Sequence, residues 1–252
     1  MRKIFIGTSV TLTLALAMLA WAGDVWKTKP YAQWDEKDVM AVLQTSPWAK
    51  VNVTTSGGAW RPPDSTAITG GTIGQPGSSS DTSHVSAGAT PDKPSGSEKA
   101  AAATGPSVYN IYWWSSRTIR EASMRRQVLK GAITQDVADT TIAKVPADYE
   151  ILVAGQNMAI FQERGEQAFK DAAFIELKKE KKKLSPTNVE FQKKSDGSVV
   201  AAIFTFPKKD ASGENTIAPD EKEIDFNLRV GDAWVRTNFS PKQMVDSQGE
   251  DL

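Results

Sequence analysis

The hydrophobic pattern divides the chain into segments with different periods. "EIDFNLRV" alternates without a break, placing Ile224, Phe226, Leu228 and Val230 on one face and Glu223, Asp225, Asn227 and Arg229 on the other. That period of two predicts a strand with one buried face. Gly231-Asp232 then marks a tight turn into "AWVRTNF" (233–239), and Asp196-Gly197 separates two further strand patterns, Val189–Lys194 and Ser198–Phe206. Four antiparallel strands are thus expected as a C-terminal meander. Upstream, "SVYNIYWW" (107–114) and "YEILVAG" (149–155) read as two more strands, rich in aromatic and β-branched residues.

Helical periodicity appears in three places. Asp35 suits an N-cap, with Glu36 and Asp38 in the first turn, Trp34 and Val39 at staple positions, and Val39, Val42 and Leu43 on one face. Ser46-Pro47 ends that helix. Thr118 and Glu121 form a T-x-x-E capping box for a helix running to about Lys130, with Gly131 at its C′ position. Residues 159–183 carry Phe161, Ala168, Ala172 and Ile175 on one helical face, with Phe169, Ala173 and Leu177 beside it. The fold class expected is α+β, with helices packed on the antiparallel sheet. The helix of residues 35–45 is too short to stand alone in water, so it should dock on the main domain through Trp34 and Trp48.

Composition divides the chain further. Residues 1–22 show a basic start (Arg2, Lys3), an uncharged apolar run and Ala20-Trp21-Ala22, the pattern of a cleaved signal peptide. An uncleaved anchor is the alternative for a run of this length. Residues 23–53 form the N-terminal helical segment. Residues 54–106 are dominated by Ser, Thr, Gly, Pro and Ala, with Trp60 as the large apolar exception, and read as a disordered low-complexity linker. Residues 107–252 form the α+β domain, roughly 145 residues and long enough for a core of its own. With the signal removed, the protein is expected to be exported, periplasmic or secreted, without a membrane span. The chain has no cysteine, so neither disulfides nor a lipid-modified cysteine is available to it.

Charge and residue type narrow the chemistry. Without Arg2 and Lys3 the chain has 28 basic and 30 acidic residues, which gives no general attraction to nucleic acid. The single histidine, His84, falls in the linker, which removes histidine triads and Cys/His zinc sites from a rigid site. Phosphate-loop, dinucleotide and nucleophile-elbow motifs are absent. No cofactor or metal is expected. Glu163 and Glu166 suit the first turn of a helix, and Asp210, Glu214, Asp220 and Glu221 lack the spacing of a calcium loop. Lys178, Lys179, Lys181, Lys182 and Lys183 are expected at a helix C-terminus, favoured there by the dipole, with docking to an acidic polymer as the sharper alternative.

The segment "NIYWWSSRTIREASMRRQ" (110–127) contains the binding candidates. Tyr109, Ile111 and Trp113 should share one strand face, and Tyr112 and Trp114 the other. Arg117, Glu121 and Arg125 are spaced to pair along an exposed helix face. Arg126 instead falls in the stripe of Ile119, Ala122 and Leu129, where it needs a carboxylate or backbone partner, or else serves an anion. Tyr112, Trp114 and Arg126 are therefore the candidate binding residues. The function expected is non-catalytic binding or a structural role in the cell envelope or secreted fraction, the partner being an envelope protein or a surface polymer. The alternative is a hydrolase using carboxylates or an oxygen-ligated metal.

"KPYAQWDEKDVMAVLQTSPWAKVNV", "WSSRTIREA" and "EKEIDFNLRVGDAWVRTNFSPKQMV" together resemble an exported bacterial family with no established activity. In that family a K-P-x-x-x-W…S-P-W segment, a low-complexity insert and a W-x-S-x-x-x-R-x-A block recur in this order. The resemblance implies that the helix before the linker belongs with the domain after it, and it implies no catalytic residues.

Overall fold

A computed structural model describes residues 24–54, 107–155 and 158–252; the expected signal peptide and residues 55–106 of the expected linker lie outside them. Its fold is α+β, with antiparallel sheets and helices packed near them. Among the described residues no helix is long and apolar enough to cross a membrane.

The segment before residue 55 adds a strand as well as helices. After α1 (Val25–Thr28) and a 3-10 turn, Asp35 caps α2 (Glu36–Thr45), and a reciprocal bond from the Asp35 N–H to the Asp38 side chain completes a capping box. Trp34, Val39, Val42 and Trp48 are all buried, as their spacing predicts. Then β1 (Ala49–Thr54) pairs with β2 (Ser107–Trp113), Ala49 opposite Tyr112 and Thr54 opposite Ser107. Residues 55–106 therefore connect two adjacent strands. Such long connections are tolerated, because each doubling of loop length costs only about 0.6 kcal/mol.

β2 is followed by α3 (Arg117–Leu129), α4 (Gln135–Ile142) and β3 (Tyr149–Gly155). α3 starts two residues earlier than a Thr118 cap would place it. Ser116 is the N-cap, its Oγ accepting from the Ile119 N–H, because β2 and its turn deliver the chain there. At the other end the Gly131 and Ala132 N–H groups bond the Val128 and Gln127 carbonyls, the paired bonds of a Schellman motif. α4 has a weak apolar signal, with Ala138 its one buried residue. It is held by Tyr31, whose hydroxyl donates to Asp139 and accepts from Gln135.

The expected long helix 159–183 is a helix followed by a hairpin. α5 (Ala159–Ala172) is broken at Gly165, whose φ of 76° few side chains tolerate. β4 (Ala173–Leu177) and β5 (Lys182–Leu184) follow. Ile175 falls at helical spacing with Ala168 and Ala172, but at strand spacing with Ala173 and Leu177; pairing with β8 (Ile224–Val230) decides the matter, Ile175 lying opposite Phe226. The lysine run is consequently a hairpin turn rather than a helix end. Lys178 pairs with Asp225 at 2.5 Å and Lys179 with Asp220 at 2.5 Å.

The remaining strands are β6 (Asn188–Lys193), β7 (Val199–Phe206), β9 (Ala233–Phe239), β10 (Val245–Asp246) and β11 (Gly249–Glu250). The C-terminal strands are antiparallel as expected, but their hairpins part company. β6 and β7 complete a five-stranded sheet in the order β1-β2-β3-β7-β6, while β8 and β9 join a four-stranded sheet, β5-β4-β8-β9. The sheets meet through Phe204 and Phe226 at 5.6 Å and through Trp113 and Phe239 at 5.2 Å, so the core lies between them. At one end Phe161 stacks on Phe169 at 4.2 Å, and both rings touch Phe191.

Trp48 links this core to the end of the chain: it is fully buried and its indole N–H donates to the Asp251 carbonyl at 2.6 Å. Trp48→Ala is expected to destabilise the protein by about 3–5 kcal/mol, the cost of emptying a large aromatic site. Trp48→Phe should cost less. Thermal unfolding of the two variants measures both effects, and equal midpoints for wild type and Trp48→Ala would contradict the packing described.

Candidate functional site

The arginines of α3 do different work from one another. The Arg117 and Thr118 N–H groups, unpaired in the first turn of α3, donate to the Asp251 carboxylate at 2.7 and 2.9 Å. The positive end of the helix favours that anion. The Arg117 guanidinium donates through Nε and Nη2 to Asp246 Oδ2 at 2.8 and 2.5 Å, and Asp246 Oδ1 accepts the Gln248 N–H at 2.7 Å. Arg120 donates to the carbonyls of Ile142 and Lys144, and Arg125 to the carbonyl of Trp34. The paired surface face expected for Arg117 and Arg125 is thus a set of bonds that fasten α3 to its surroundings.

Arg126 is exposed, and among the described residues no carboxylate lies within ion-pair distance of it. It does follow the stripe of Ile119 and Ala122, both fully buried, but the stripe loses its cover in the last turn, where Leu129 is also exposed. Tyr112 and Trp114 are half-buried against the core, as two-sided cover of the strand predicts. Burial raises the pKa of the Tyr112 hydroxyl, and the nearby charge of Arg126 opposes that rise. Tyr112 and Arg126 therefore lie within electrostatic reach of one another.

Clefts open on the surface of the described residues, and two of them are lined by charged and aromatic side chains. One, of about 470 Å³, lies between the start of α3 and the end of the chain and includes Ser115, Arg117, Arg120, Tyr149, Lys208 and Asp251. The interactions described above already occupy the Asp251 carboxylate and Nε and Nη2 of Arg117, while the buried Arg120 Nε and Ser115 Oγ have no hydrogen-bond partner among the described residues. Burial, with Glu250 adding, pushes the Tyr149 hydroxyl up to about 12, and Lys208 stands over its ring at 5.3 Å.

The other cleft, of about 500 Å³, lies between α5 and the outer face of the four-stranded sheet. Alternation along β9 turns Val235 and Phe239 inward and leaves Trp234 outward, 36% exposed. Phe174 of β4 stands edge-on to the indole at 6.4 Å, and the Arg236 guanidinium lies 4.7 Å from its centre. Arg164 and Asp171 from α5 face Arg229 and Asp232 from the β8–β9 turn across the cleft. Gly231 permits this approach: at φ 62°, a Cβ there would stand 3.1 Å from the Ile160 side chain. Arg229 donates to the Gly231 carbonyl and Asp171 accepts from Gln167, whereas Arg164 and Asp232 have no hydrogen-bond partner among the described residues. Trp234 was identifiable in the sequence as the large aromatic on the polar side of an alternating strand. The α5 wall was hidden by the unforeseen break at Gly165.

Among the described residues no three His, Asp or Glu side chains are grouped to hold a metal ion. Asp210 instead organises its own turn, accepting from the Ser212 and Glu214 N–H groups. Glu221, buried, accepts from Lys179 and Lys222.

Glu121 is a titratable group strongly altered by the fold. Burial pushes its carboxyl up to about 7, opposed by Arg117 and Arg120 and reinforced by Asp246 and Asp251. The folded state thus holds this proton more tightly than the unfolded chain does. The stability this contributes is complete below about pH 4.5 and is lost as pH rises through about 7. Glu121→Gln should remove that part of the pH dependence, leaving the variant more stable than wild type at pH 8 by on the order of 1 kcal/mol after solvent screening. Denaturant unfolding from pH 5 to 8 measures the difference; parallel profiles for the two proteins would contradict it.

Comparison of the chain with protein-family models, with curated proteins and with solved structures gives no match in any of the three.

Proposed function

We propose that this is an exported, non-catalytic binding protein of the cell envelope or secreted fraction, which recognises a surface polymer through the cleft between α5 and the four-stranded sheet. The observation behind this reading is Trp234. Folding favours burial of an indole, yet this one is held at the surface by Phe174 and Arg236 in a cleft with two unpaired charges on its rim. Contacts that need rigid aromatic area favour tryptophan and arginine together. Residues 1–22 support export through their basic, apolar and small-residue pattern.

The hydrolase reading has Glu121 in its favour, since a carboxyl near pH 7 suits a general acid. Glu121 lines neither cleft, however, and the oxygens of its acidic neighbours Asp246 and Asp251 already accept bonds from the fold. The binding reading is therefore preferred.

Cosedimentation of the purified protein with envelope material from the source cells tests the proposal. Wild type should pellet, and Trp234→Ala should lower the bound fraction about tenfold at subsaturating protein. A Tyr112→Phe, Arg126→Ala double variant should pellet like wild type. Loss of binding in that variant, with Trp234→Ala unaffected, would move recognition to the aromatic strand and overturn the assignment of the cleft.

A further inference from the structure

The functional groups of the cleft specify a class of ligand, on the reading that the cleft is the recognition surface. Its apolar part is the Trp234 indole with Phe174 beside it. Its rim has two guanidiniums, Arg164 and Arg229, and two carboxylates, Asp171 and Asp232. An anionic ligand would be opposed by the carboxylates and a cationic one by the guanidiniums. A wholly apolar ligand would strip water from four charges and return no hydrogen bonds. A ligand with a C–H face for the indole and hydroxyls at its edge meets every demand, because a hydroxyl accepts from guanidinium and donates to carboxylate.

The same face continues along β9. Trp234, Arg236 and Asn238 occupy successive outward positions, spaced by about 7 Å along the strand. Arg236 stands over the indole, and Asn238 donates to Glu223 at 3.0 Å. A line of polar groups leading away from an aromatic floor suits an extended chain better than a single small molecule. The cleft's volume of about 500 Å³ lies within the range of about 300–1,000 Å³ usual for small-ligand sites. We infer that the cleft and the β9 face bind a neutral polysaccharide, one sugar ring lying on the face of the Trp234 indole turned away from Arg236 and the chain running along β9.

Isothermal titration calorimetry with maltohexaose, cellohexaose and N-acetylchitohexaose tests the inference, with polygalacturonate as the charged control. At least one neutral hexasaccharide should bind, Trp234→Ala should weaken it about tenfold, and Trp234→Phe should recover most of the affinity. Asp232→Asn should weaken it without changing the thermal midpoint, which keeps the test independent of any folding defect in Trp234→Ala. Binding to none of the three, or tighter binding to polygalacturonate, would overturn the neutral-saccharide inference. If envelope cosedimentation still depends on Trp234 in that case, the binding surface stands and only its ligand class falls.

Discussion

Asp251 makes four hydrogen bonds to parts of the chain that are remote from one another in sequence. Its carboxylate accepts the Arg117 and Thr118 N–H groups, its carbonyl accepts the Trp48 indole N–H, and its own N–H donates to the Met244 carbonyl. The first two bonds satisfy helix donors that would otherwise be buried without partners, and the negative charge sits at the favourable end of the α3 dipole. The third fixes a fully buried tryptophan at the start of β1. One residue thus joins the edge strand, the first long helix of the main body and the last turn of the chain.

The other polar contacts extend this knot. Asp246 takes the Arg117 side chain, so α3 is held at both its backbone donors and its first guanidinium. Glu121 lies close enough to these charges for its own proton to depend on them. A buried ion pair contributes little net stability by comparison with an apolar contact, but removing one partner leaves a costly unpaired charge. The knot ties remote parts of the chain together, while the buried side chains between the two sheets, facing aromatic rings among them, supply the apolar burial. With one side of the four-stranded sheet committed to that core, its other side is free to display Trp234 and the charges around it.

Local pattern made much of this legible. The alternation of 224–230, the turns at Gly197 and Gly231, the Asp35 cap and the end of α3 at Gly131 all follow from residue types at fixed spacing. What escaped was non-local. Both C-terminal hairpins have the same local signature, and nothing in either says that β7 turns toward β3 while β8 turns toward β4. Ile175 fits the helical spacing of Ala168 and Ala172 as well as the strand spacing of Ala173 and Leu177, so a pairing partner some fifty residues away decides between helix and strand. A helical projection sets Arg117 on the exposed face and Arg126 in the apolar stripe, the reverse of what is found. Their environments differ because Asp246 and Asp251 return to the start of α3 and leave its end uncovered. For the same reason the cleft was only half visible: strand alternation places Trp234 outward, but the helix that forms the opposite wall depends on the break at Gly165.

The central claim, that Asp251 couples β1, α3 and the end of the chain into one cooperative unit, is tested most directly by hydrogen exchange followed by mass spectrometry on Asp251→Ala and wild type. The account predicts that peptides covering 49–54, 113–120 and 244–250 all exchange faster in the variant, and to a similar degree. Faster exchange confined to 244–250, with β1 and α3 protected as in wild type, would contradict it.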